Sequence, residues 1–136
     1  MSDSDELAEI RERKREELLE AQSGDEGSES VPSDPVHVES ETHLDELVAD
    51  HDVVLVDFYA DWCGPCQMLE PVVEQVATET SAAVAKVDID ELQMLAQQQG
   101  IRGVPTLLLY ADGELADRMV GVQEKSALVN KVEAHA

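Results

Sequence analysis

From residue 36 onward, apolar residues fall into short runs that alternate with stripes at helical spacing. The run VVLVDFY, residues 53–59, is apolar on both parities and is broken only by Asp57, the pattern of a strand buried on both faces. After it, Met68, Leu69, Val72, Val73 and Val76 recur one helical turn apart and predict a helix over 63–80. Pro71 lies inside that helix, removes one backbone bond and predicts a kink. The same reading gives strands over 36–38, 82–88, 106–110 and 115–120. It gives further helices over 40–50, capped by Ser40 or Thr42, over 92–99, closed by Gly100, and over 123–133. Asp112-Gly113 is a hairpin signal between the last two strands. The order β-α-β-α-β-α-β-β-α is an α/β architecture with one antiparallel hairpin.

The first 35 residues break this pattern. Residues 5–21 (DELAEIRERKREELLEA) are strong helix formers, but Leu7, Ile10, Leu18 and Leu19 make only a thin apolar stripe. Residues 23–35 (SGDEGSESVPSDP) have the composition of an acidic linker. Two domains of behaviour follow: an acidic, flexible N-terminal extension with a short helix over 1–35, and a folded domain over 36–136. The extension reads either as a solvated helix on a tether or as a helix that docks a partner.

Charge changes the picture next. The chain has 31 acidic and 9 basic residues, a net charge of −22. Residues 1–35 hold 12 and 4 of these, so the folded domain keeps 19 and 5. A domain this acidic repels itself at low ionic strength and suits concentrated salt, which points to a halophilic source. Five scattered cations assemble no basic patch, so nucleic-acid binding is disfavoured. No run of 18 apolar residues is present to span a membrane, and the acidic N-terminus has no apolar segment of a secretory signal.

The chain has two cysteines, Cys63 and Cys66, where the strand over 53–59 hands over to the following helix. Unpaired N–H groups and the positive end of the helix dipole stabilise a thiolate there, so the pair reads as a dithiol–disulfide redox centre. A zinc site needs about four ligands, and His37, His43, His51 and His135 stand at no ligand spacing. No cofactor is called for. Asp57, six residues before Cys63, is costly to desolvate in its apolar run, and its pKa is expected to be raised.

The segment 53–71, with Trp62-Cys63-Gly64-Pro65-Cys66 at its centre, resembles the active-site segment of the thioredoxin family. The resemblance extends over residues 36–136. It implies a mixed central sheet with helices on both faces, and a cytoplasmic, monomeric protein-disulfide reductase. It implies disulfide-containing protein substrates and a thioredoxin reductase or equivalent as partners. Cys63, placed before the helix, is expected to be the more exposed and more acidic thiol and to act as nucleophile, with Cys66 one turn in as the resolving thiol. Gly64-Pro65 between them marks the strongly reducing members of the family.

By the same resemblance, Asp57 is the buried proton acceptor for Cys66, and Lys86 on the neighbouring strand modulates it. Trp62, expected half exposed, belongs to the substrate-docking surface, with its indole held by Asp90. Gly103-Val104-Pro105-Thr106 resembles the family's cis-proline loop, where the Val104 backbone pairs with substrate, and Gly121 matches the glycine that lets substrate approach. Gln67 and Tyr59 depart from the family's usual lysine and tryptophan. The rival from another class is a binding module or structural subunit whose acidic tail recruits a partner.

Overall fold

Five strands form one sheet: β1 (Val36–His37), β2 (Val53–Tyr59), β3 (Ala83–Asp88), β4 (Thr106–Ala111) and β5 (Glu114–Val120), in spatial order β1-β3-β2-β4-β5. They belong to a computed structural model that describes residues 31–136. The helix expected over 5–21 and most of the linker lie outside the described residues. Strands β1, β3 and β2 run parallel, β4 pairs antiparallel to β2 and β5 antiparallel to β4, so the sheet is mixed. Central position explains the composition of β2: it pairs on both edges and is covered on both faces, and Val53, Val54, Leu55, Val56 and Phe58 are all fully buried. Burying each such side chain stabilises the fold by about 1.5–3 kcal/mol, which outweighs what one carboxyl, Asp57, costs in the same strand.

Among the described residues, four helices follow the predicted stripes: α1 (Glu41–Asp50), α2 (Gly64–Glu79), α3 (Gln93–Gln98) and α4 (Lys125–His135). Alternation along the strands sorts the core into two layers. Val53, Leu55, Val84, Leu107 and Leu109 pack against Leu69, Val73 and Val76 of α2 and Leu128 and Val132 of α4. Val54, Val56, Phe58, Ala85 and Leu108 pack against Leu44 of α1 and Leu95 of α3. Asp57 has the parity of Val53 and Leu55, so its side chain lies on the α2 and α4 face.

Helix boundaries moved where capping decided them. Ser40, not Thr42, caps α1, its hydroxyl accepting from the His43 N–H at 3.1 Å. Helix α4 begins at Lys125, two residues later than its stripe suggests, because Glu124 is extended (φ −76°, ψ 148°). Helix α2 continues through Pro71 as a single element and is capped by Thr80, whose hydroxyl donates to the Val76 carbonyl at 2.7 Å.

Candidate active site

The sharp turn Ala60–Cys63 carries the chain from the end of β2 to the start of α2, with the Cys63 N–H bonded to the Ala60 carbonyl at 3.1 Å. Cys63 is the N-cap of α2, and its Sγ accepts from the Cys66 N–H at 3.2 Å. Gly64 and Pro65 form the exposed first turn between them. Pro65 lacks an N–H, which costs nothing where first-turn donors have no helical partner. That leaves the Cys66 N–H as the donor directed at the sulfur. Cys63 and Cys66 are joined as a disulfide, with their Cα atoms 5.3 Å apart.

One expectation needs correcting. Cys63 is not the more exposed cysteine here: it is 4% exposed and Cys66 5%. Ala60, Ile89 and Val104 pack around the bonded pair, and the Val104 carbonyl oxygen stands 3.6 Å from Cys63 Sγ. The disulfide ties the first sulfur to the buried second one, so any difference in access belongs to the reduced dithiol.

Asp57 is 1% exposed, and neither carboxylate oxygen has a hydrogen-bond partner. Burial raises its pKa from an ordinary 3.8 to about 7; Lys86 opposes the rise and Glu70 adds to it. Lys86 stands beside Asp57 in the parallel β2–β3 register. Its Nζ donates to Glu70 Oε1 at 3.1 Å and lies 4.4 Å from the centre of the Tyr59 ring. Tyr59, Ala60, Asp61, Cys66, Gln67, Glu70 and Lys86 line a cleft of about 380 Å³. Glu70 was missed by sequence reasoning. Its signal was its spacing, four residues after Cys66 on one helix face.

Trp62 is 69% exposed, more than the half expected, and its Nε1 donates to Asp90 Oδ2 at 3.0 Å. A polar tether at the indole edge frees the ring faces for contact. Opposite, the Val104–Pro105 peptide is cis. The loop that carries it is closed by the Thr106 hydroxyl donating to the Gly103 carbonyl at 2.7 Å. Gly121, at φ +90°, donates its N–H to the Pro105 carbonyl at 2.9 Å, and a Cβ built on it would meet open space. A positive φ, not a crowded neighbour, is what asks for glycine there. The loop at 103–106 thus meets Cys63 through Val104 and Gly121 through Pro105. Among the described residues, no three His, Cys, Asp or Glu side chains cluster as a metal site requires.

The family model described as thioredoxin matches residues 35–134. The chain belongs to the thioredoxin family. Among curated thioredoxins, that of Chlamydia caviae is 44% identical over 85 residues, which are 62% of this chain and 83% of the relative. The thioredoxin of Chlorobaculum thiosulfatiphilum is 45% identical over 92 residues, 66% of this chain and 85% of the relative. Among solved structures, a mutant thioredoxin from Halobacterium salinarum is 57% identical with a TM-score of 0.75, covering 77% of this chain and 93% of that one. The disulfide at a helix N-terminus and the thioredoxin relatives agree on the chemistry. This chain is a thiol-disulfide oxidoreductase that reduces protein disulfides by dithiol–disulfide exchange through Cys63 and Cys66. Thioredoxin membership also implies disulfide-bearing substrates and a thioredoxin reductase.

Proposed function

We propose that this protein works in the cytoplasm of a salt-adapted cell, with Cys63 as attacking thiol, Cys66 as resolving thiol and Asp57 as proton acceptor for Cys66. The Cys63 thiolate attacks a substrate disulfide, forms a Cys63–substrate bond and expels one substrate thiolate. Asp57 then takes the Cys66 proton, and the Cys66 thiolate attacks Cys63 Sγ. The second substrate thiolate leaves, the Cys63–Cys66 disulfide forms, and two electrons have passed to the substrate. The reductase returns them. Trp62, Gly64, Pro65, Val104, Pro105 and Gly121 frame the docking surface, on which an extended substrate segment pairs with the Val104 backbone.

The observation that carries these roles is the Cys66 N–H directed at Cys63 Sγ from 3.2 Å at a helix N-terminus. Such a donor favours thiolate on Cys63, whereas Cys66, inside the first turn, lacks that position. The test is timed alkylation of the reduced full chain with iodoacetamide, mapped by mass spectrometry across pH. Cys63 is expected to take the label first, with an apparent pKa below the ordinary 8.5 or so of a free thiol. Label arriving first on Cys66 reverses the roles.

A dithiol that must be kept reduced fits a reducing compartment. Among the described residues, no helix is long and apolar enough to cross a membrane. Salt adaptation rests on charge and is supported by the 57% identity to the Halobacterium salinarum protein. Lys86, Lys125 and Lys131 are each paired with one carboxylate, Glu70, Glu79 and Asp117. Most of the 19 acidic groups of residues 36–136 therefore have no lysine partner. Between about 0.15 M and about 1 M salt the Debye length shrinks from about 8 Å to about 3 Å and removes their repulsion. Further gain comes from preferential exclusion. Melting temperature is expected to climb steadily with potassium chloride into the multimolar range. A flat profile sinks the salt-adapted reading and leaves the redox roles standing.

A further inference from the structure

The Lys86 ammonium has two carboxylates within reach of its strand position and is bonded to only one. Asp57 is its β2 neighbour in register and has both oxygens unpartnered. Glu70, one turn after Cys66 on α2, holds Nζ at 3.1 Å. The Lys86 side chain is 16% exposed and that of Glu70 51%, so the bond lies at the rim of the cleft that Cys66 also lines. The face of the Tyr59 ring, 4.4 Å from Nζ, supports the ammonium in that place. Energetics favour this choice. Pairing at the rim leaves the ammonium partly hydrated, whereas pairing with Asp57 needs full desolvation of both ions.

We propose that Glu70 is a positioning residue for the resolving step: by holding Lys86 at the cleft rim, it keeps the ammonium from closing onto Asp57 and leaves that carboxylate free to take the Cys66 proton. The inference rests on the reading of Asp57 as proton acceptor. Without Glu70, the buried carboxylate becomes the partner left to Lys86. An ion-paired Asp57 accepts a proton only at lower pH and is a weaker base. The direct repulsion between the Glu70 and Asp57 charges acts in the same direction, since Glu70 also raises Asp57.

The other charged and titratable groups around this site are few. Strand β1 brings His37, which is paired in register with Lys86, has Nδ1 3.5 Å from the Tyr59 hydroxyl and Nε2 3.0 Å from Glu91. Strand β3 adds Asp88, opposite Tyr59, and the turn after β2 adds Asp61. Strand β4 presents Leu107 opposite Asp57, and α4 presents Leu128 and Val132 to this core layer. Among the described residues none of these groups bonds Lys86, and Glu70 is its carboxylate partner.

The test is single-turnover reaction of the reduced full chain with an aromatic disulfide across pH. Attack by Cys63 releases one coloured thiolate and resolution by Cys66 the second. Glu70→Gln is expected to lower the pH midpoint of the second phase by about one unit, the shift a newly freed opposite charge brings to a carboxylate. Glu70→Asp, which keeps the charge, is expected to restore most of the midpoint. In a Lys86→Met background the effect of Glu70→Gln is expected to fall to less than about half, because the coupled partner is gone. A merely structural ion pair changes the melting temperature and leaves the midpoint in place. An unmoved midpoint, or an undiminished shift without Lys86, overturns the proposal. Asp57→Asn run in parallel separates the two readings. If it leaves the second phase unslowed, the Asp57 assignment itself falls; if it slows that phase while Glu70→Gln moves nothing, only the role of Glu70 falls.

Discussion

Cys63→Ser is expected to abolish protein-disulfide reduction, while Cys66→Ser keeps the first attack and accumulates a covalent adduct with substrate through Cys63. The difference follows from where each sulfur acts. Without Cys63 no substrate bond forms, and loss of a covalent nucleophile costs on the order of a thousandfold or more in turnover. Without Cys66 the bond forms and nothing resolves it. The fold is expected to survive both changes. Serine is itself a favoured N-cap, and a hydroxyl at position 63 can accept the Cys66 N–H that the sulfur accepts now. Mass spectrometry of each variant after exposure to a disulfide-bonded protein reads the outcome. An adduct retained by Cys63→Ser and absent from Cys66→Ser reverses the assignment.

How much of this was legible in sequence depends on whether the signal was local. Apolar residues on both parities of 53–59 announced a central strand and a buried Asp57, and the structure places both there. The cysteines at a strand-to-helix turn were equally local. The approach of Val104 to Cys63 across 41 positions, and of Gly121 to Pro105, was not. Resemblance to a family pointed to those loops; periodicity could not. Glu70 fell between the two cases. Its helical spacing from Cys66 was readable, but its bond to Lys86 needs α2 laid over β3, which is tertiary information. The near-equal burial of the two cysteines escaped for a different reason: it belongs to the oxidised state, and sequence reasoning had described the dithiol.

Asp57→Asn is expected to stabilise the protein strongly and slow its resolving step at the same time. In the folded chain the carboxyl titrates near 7, and unfolding returns it to its ordinary 3.8. Between those values the unfolded chain is ionised while the folded one holds its proton, so stability falls as pH rises through this window. Below about 4 both states are protonated and the cost vanishes; above about 7 it is complete, on the order of 4 kcal/mol. Asparagine carries no such charge. Its advantage in melting temperature is expected to be small at pH 4, to grow to about ten degrees or more by pH 7, and to stay level beyond. Kinetically, loss of a general base slows release of the mixed disulfide by about a hundredfold near neutral pH. Attack by Cys63, which draws on the helix terminus instead, is expected to change by only a few-fold. Thermal melts across pH and the two-phase kinetics give independent readings. A stability gain that shrinks with rising pH contradicts the buried carboxyl, and equal slowing of both phases contradicts its role as the base for Cys66.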